Sequence, residues 1–178
     1  MPQFRILAAL LLSTMAAAVG SAPAVRSREV EKAVRRYYQE VAGRSDEAKS
    51  GRVVDELLAG DFSFSFGSGT SSTRGIEAHK RWLAWHHRVA ANQAWTIQDL
   101  VIDGDSAAVR FLVKFDHQDT LYGIPATGKT VQIRGMDFFR VSDGRIVELY
   151  RVFDGRNVMI QLGASLPASE PTPAAATR

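Results

Sequence analysis

The sequence predicts an α+β fold, with helices first and a mostly antiparallel curved sheet after them. Three observations carry this. Apolar residues recur at helical spacing over 27–42, 47–58 and 76–90. From residue 94 onward the pattern changes to alternation with period two. The turns at Asp103-Gly104-Asp105 and Ser142-Asp143-Gly144 then join alternating runs in pairs, as antiparallel hairpins require.

Residues 1–24 read as a secretory signal peptide. Arg5 gives a positive start, Ile6 to Val19 is uncharged and mostly apolar, and small residues suit cleavage after Ala22 or Ala24. The apolar stretch is short for a spanning helix, and an uncleaved anchor is the alternative. The expected location is secreted or periplasmic, with no stable membrane anchor after cleavage. No cysteine follows the stretch, which excludes a lipoprotein.

The first helix, over 27–42, sets Val30, Ala33, Val34, Tyr37 and Val41 on one stripe, with Ser27 as its cap. The second, over 47–58, turns Val54, Leu57 and Leu58 inward and is expected to end at Gly60. Asp61 to Phe66 alternates strictly and reads as a short strand, followed by a Gly/Ser/Thr loop over 67–73. The third helix, over 76–90, carries Ile76, Leu83 and Ala90, with Trp82, Trp85 and Val89 alongside. His79 and His86 on it are two turns apart, roughly 10 Å along the axis, too far to share a metal ion. Strands follow at 94–103, 106–117, 129–141 and 145–154, then a short helix at 156–162. Residues 25–163 thus form the folded domain. The Pro/Ala-rich tail, 164–178, has too few large apolar groups to order itself.

Composition narrows the function. A chain of 178 residues, 46% hydrophobic and 23% charged, suits one globular domain. Without cysteine there is neither a disulfide framework nor thiol chemistry. A net charge of +3 with no basic run argues against nucleic acid as a partner. Gly123 to Thr130 satisfies the phosphate-loop spacing G-x-x-x-x-G-K-[ST]. That motif needs a helix to begin at its lysine, so that amides face the phosphates. Here residues 131–141 alternate as a strand, so nucleotide binding is rejected.

Two ionisable residues sit where a core is expected. Asp137 shares parity with Val131, Ile133, Phe139 and Val141; His117 ends the apolar face of Val109, Phe111, Val113 and Phe115. A carboxylate on that face is costly unless paired, hydrogen-bonded or protonated. Together they suggest a hydrophobic pocket with a few ionisable groups inside. The alternative for Asp137 is a buried acid paired with a neighbouring Arg or Tyr. For His117 it is a rim histidine holding the 118–128 loop.

The run Gly123 to Lys129, then Gly135-Met-Asp-Phe-Phe-Arg140, Asp143 to Glu148, Tyr150, Asp154 and Gln161-Leu-Gly163 resembles the SnoaL-like polyketide cyclases. The likeness extends from about Val53 to Gly163. It implies the cone of the nuclear transport factor 2-like superfamily: a curved, mostly antiparallel sheet against N-terminal helices, enclosing a pocket. It also implies a cofactor-free and metal-free acid/base enzyme that cyclises or isomerises a hydrophobic, carbonyl-bearing small molecule. The family's acid/base aspartate falls on Asp137, with His117 as its companion and a homodimer as the expected assembly. Tyr150, Phe139, Phe115 and Trp82 are the expected substrate-binding wall. Tyr150 stands where the family usually has Trp, and Leu149 where it often has His. A non-catalytic periplasmic binding protein of the same fold, or an interaction module using the open sheet face, are the other readings.

Overall fold

A computed structural model describes residues 21–43, 47–67 and 72–165. The signal-peptide expectation lies outside the described residues up to Gly20, as does most of the tail. Helix α1 (Ser21–Tyr37) runs on through a wider π-helical turn at Tyr38–Ala42. Its buried residues, Val30, Val34, Tyr37, Tyr38 and Val41 among them, step by threes and fours onto the sheet. Helix α2 (Glu47–Leu57) buries Val54 and Leu57.

The α2 helix stops short of Gly60 because Leu58 already pairs with Ile146 in the sheet. Strand β1 (Leu58–Phe66) therefore contains Gly60, and it buries Phe62 and Phe64 on one side. Strand β2 (Ser72–Arg74) leads into α3 (Ile76–Val89). Strand β3 (Ala90–Asp103) follows α3 without a loop, since Ala90 and Ala91 pair with His117 and Asp116. Then come β4 (Ser106–His117), β5 (Thr130–Ser142), β6 (Arg145–Phe153) and α4 (Gly155–Leu162). The six strands form one sheet in the order β2-β1-β6-β5-β4-β3, antiparallel except where β1 meets β6. Thr130 opens a strand and no helix starts at Lys129, in keeping with the rejection of a phosphate loop.

Three local devices position the site. First, Val141 pairs with Ile146 but Arg140 pairs with Glu148, so Val147 is an extra residue in β6. The bulge switches the strand's phase: Ile146 is buried before it, and Leu149 and Arg151 after it. Second, Gly135 faces Phe111 across the β4–β5 pair. A Cβ there would lie 2.5 Å from the Phe111 ring and 2.6 Å from the Val152 carbonyl oxygen, so only glycine fits. Third, β6 ends opposite Gly135, which leaves the start of β5 without a strand partner on that side. The Gln161 side chain of α4 fills the gap. It accepts from the Gln132 backbone N–H and donates to the Gln132 carbonyl, each at 2.9 Å. Asp154 caps the same helix by accepting from the Asn157 N–H at 2.9 Å. Among the described residues no helix is long and apolar enough to cross a membrane.

Candidate functional site

A cavity of about 550 Å³ lies between α3, α4, the 118–128 loop and one face of the sheet. Helix α3 contributes Trp82, Trp85, His86 and Val89 because these lie on its sheet-facing side at spacings of three and four. Strands β3 and β4 contribute Gln93, Trp95, Phe111, Val113 and Phe115. Leu121 and Tyr122 come from the loop, Val158 and Met159 from α4. All three tryptophans of the chain line the space. No carboxylate does, among the described residues.

The floor carries a cation. Arg151, 4% exposed, turns inward because of the Val147 bulge. Its Nε and Nη2 donate to the two oxygens of Asp137 at 2.7 and 2.6 Å, a bidentate pair. Nη1 is the nitrogen not used on Asp137. The guanidinium carbon lies 4.7 Å from the Trp95 ring centre, 5.1 Å from Phe111 and 5.7 Å from Phe64. Burial opposes its charge, but Asp137 outweighs that and holds the guanidinium above its ordinary pKa. From the far side, the Tyr38 hydroxyl donates to Asp137 Oδ2. Burial and the Asp137 charge push the Tyr38 phenol far up, which keeps it protonated and donating.

Beside Arg151, His86 stacks on Trp82 with ring centres 4.7 Å apart and planes 15° apart. Burial and the Arg151 charge pull its pKa down to about 3, so the ring is neutral at physiological pH. Gln93 lies between His86 and Trp95. Its Nε2 is 3.3 Å from His86 Nδ1, and its Oε1 accepts from the Trp95 N–H at 2.9 Å. No group of three or more His, Cys, Asp or Glu is placed to share a metal, among the described residues.

The six residues singled out from sequence are dispersed. Trp82 and Phe115 line the cavity. Asp137 is fully inside but does not line it: both its oxygens are taken by Arg151 and Tyr38. Of the three ways to keep a carboxylate in a core, pairing and hydrogen bonding are the ones used. His117 is not in the cavity wall either. Its Nδ1 accepts from the Thr127 N–H at 3.2 Å and its backbone is bonded to Gly128 and Lys129, so it anchors the loop. Phe139 packs edge-on against Tyr37 and Tyr38, at 5.6 and 5.9 Å, behind the cavity. Tyr150, expected in the substrate-binding wall, is a correction: it is 40% exposed on the opposite face, because the bulge at Val147 puts it on the other side of the strand from Ile146.

Arg151, Gln93 and Tyr38 were not singled out from the sequence. Tyr38 has a signal there, since it continues the α1 stripe four residues after Val34. Arg151 has none short of locating the bulge.

The model of the SnoaL-like polyketide cyclases matches residues 32–162. The chain belongs to the SnoaL-like polyketide cyclase family. Solved structures agree on the fold. A protein assigned as a SnoaL-like polyketide cyclase from Jannaschia sp. CCS1 superposes with a TM-score of 0.72 at 21% identity, covering 79% of this chain and 95% of that one. IdmH from Streptomyces antibioticus, assigned as a polyketide cyclase, gives 0.61 at 25% identity, covering 76% and 99%. A hypothetical protein with a ketosteroid isomerase-like fold from Catenulispora acidiphila gives 0.60 at 16%, covering 78% and 95%. No curated protein matches the sequence. This SnoaL-like chain therefore has the nuclear transport factor 2-like fold, an α+β cone with an unclosed curved sheet.

Proposed function

We propose that this SnoaL-like protein binds a hydrophobic, carbonyl-bearing small molecule in the aromatic cavity and polarises its oxygen through Arg151. That is the electrostatic half of a cofactor-free cyclisation or isomerisation. One observation carries the reading: a buried cation, Arg151, lies at the floor of a mostly aromatic and aliphatic cavity that has no lining carboxylate among the described residues. A donor fixed in a water-poor site is worth most when negative charge develops on the oxygen facing it, as in an enolate. Asp137 then orients Arg151 and is not itself the base. A general base must reach the proton it takes, and Asp137 is screened by Arg151 and Tyr38. That occupation favours the second reading, a non-catalytic binding protein. Work outside the cytoplasm, for either activity, is part of the same proposal, and its support is the apolar run Ile6 to Val19 behind Arg5.

Solvent exchange separates the two readings. A saturated bicyclic ketone, trans-2-decalone, is expected to quench the emission of all three tryptophans on binding. In D2O, buffer base takes the α-proton, Arg151 holds the enolate oxygen and solvent returns a deuteron, so exchange should run about 10²-fold faster than without the protein, the usual worth of one fixed oxyanion donor. Binding without acceleration would leave the protein a holder of ligands.

The outer face of the sheet supports a homodimer within the same proposal. Met136, Phe138, Tyr150 and Val152 are exposed there, in adjacent register as Met136 with Val152 and Phe138 with Tyr150. The ion pairs Arg110–Asp99 and Arg140–Glu148 flank them, carrying both signs as a self-complementary rim needs. Light scattering at micromolar concentration should give twice the chain mass, falling to the chain mass in Phe138→Lys. A wild-type monomer at that concentration rules the dimer out.

A further inference from the structure

We propose that His86 selects the ligand: it is locked as an Nε2–H donor and favours molecules that present an acceptor oxygen over same-shaped ones that present none. This rests on the cavity holding a small molecule.

The lock begins at Trp95. An indole nitrogen donates and never accepts. Its partner at 2.9 Å is therefore the amide oxygen of Gln93, which turns the Gln93 amide nitrogen the other way. A second contact fixes the same sense, since that nitrogen donates to the Ala90 carbonyl at 2.9 Å. The amide nitrogen is also 3.3 Å from His86 Nδ1. It has no lone pair to offer, so Nδ1 must be the acceptor. A neutral imidazole with an accepting Nδ1 carries its proton on Nε2.

Two further features keep the ring in that state. Stacking on Trp82 holds its plane. Burial and the charge of Arg151 disfavour a second proton. Gln93 occupies only Nδ1, so Nε2–H remains for whatever fills the cavity that His86 lines. A buried donor left facing hydrocarbon loses its hydrogen bonds to water and gains none. The site therefore discriminates by penalty as well as by attraction. Arg151 and His86 then offer two donors of different character, one cationic and one neutral.

The test uses the full chain and a matched pair of probes, trans-2-decalone and 2-methylenedecalin, which differ by an oxygen against a methylene. Long-range ¹H–¹⁵N spectra of histidine-labelled protein resolve protonated from bare ring nitrogens, and His86→Phe assigns the signal. Wild type should carry the proton on Nε2 and bind the ketone more tightly than the alkene. His86→Phe keeps the stacked ring, and should cut that preference about two- to tenfold, the worth of one hydrogen bond, by weakening the ketone and tightening the alkene. Gln93→Glu sets an acceptor opposite Nδ1, and should move the proton to Nδ1 with a similar loss of preference. An Nδ1–H ring in wild type, or an undiminished preference in His86→Phe, overturns the proposal. Quenching by neither probe overturns the cavity reading itself, and the selectivity with it.

Discussion

Replacing Asp137 with asparagine is expected to lower the unfolding free energy by about 3–5 kcal/mol, the usual cost of breaking a buried ion pair from one side. For a chain of this size that corresponds to a fall in melting temperature of roughly 6–20 °C. The change is nearly isosteric, so the loss does not come from packing. It comes from Arg151, which would remain 4% exposed with its positive charge uncompensated. Tyr38 would also face a weaker acceptor. The triple replacement Asp137→Leu, Arg151→Met, Tyr38→Phe removes every member of the network together. Its stability should return to that of wild type or exceed it by about 1–4 kcal/mol, because an apolar substitute has no ions to desolvate. Thermal melts of the two variants decide the role of Asp137. A reacting base would lose turnover and keep its melting temperature; a partner of Arg151 loses the melting temperature first. An unchanged melt for Asp137→Asn would remove the structural role assigned here.

Acid is expected to destabilise the protein well before its carboxylates titrate. His79 is fully buried among Phe62, Phe64 and Trp82, and burial followed by the Arg151 charge lowers its pKa to about 3. His86 is lowered to about 3 for the same leading reasons. In the unfolded chain each takes its proton near pH 6.5. Between about pH 3 and 6.5 the unfolded state therefore holds more protons than the folded one, and stability rises with pH. The contribution is complete above 6.5 and is lost steadily below it, by about 1.4 kcal/mol per pH unit for each histidine. Together the two should remove about 3 kcal/mol between pH 6.5 and 5. Unperturbed carboxylates titrate near 4, so this window belongs to imidazoles. Urea unfolding at several pH values should show the slope, and His79→Phe should roughly halve it. A flat profile from pH 7 to 5 would contradict the neutral state of both rings.

The α+β order of elements was legible because its signals are local. Alternation over Ala107 to His117 and Val131 to Val141 sets the inner face of β4 and β5, and the structure pairs them throughout with no slip. That parity placed Asp137 inside without any knowledge of its partners. Its partners were illegible for a different reason. Tyr38 lies 99 residues away in sequence. Arg151 follows a bulge that no turn residue announces. Parity carried straight through Val147 gives the wrong face for every later residue of β6, setting Tyr150 inward and Arg151 outward. His86 was obscured by a shared spacing. A helix face that covers a core and one that lines a cavity have the same period, so periodicity alone does not tell them apart. Gln93 was hidden by the direct passage from α3 into β3, where a loop was expected.

The bulge gives β6 two reading frames. Up to Ile146 the strand is read by the helices; beyond Val147 it is read by the cavity on one side and by solvent on the other. Flattening the bulge with Val147 kept in the ladder would leave Ile146 where it is and rotate the remainder, carrying the Tyr150 phenol inward and the Arg151 cation outward. The interior would exchange a charge for a neutral hydroxyl, and the exposed face would trade an aromatic ring for a guanidinium. A slip of one residue in the ladder is enough, with every amino acid kept. In this chain such an event would alter the accepted molecule and the outward surface in one step, with no substitution at either site.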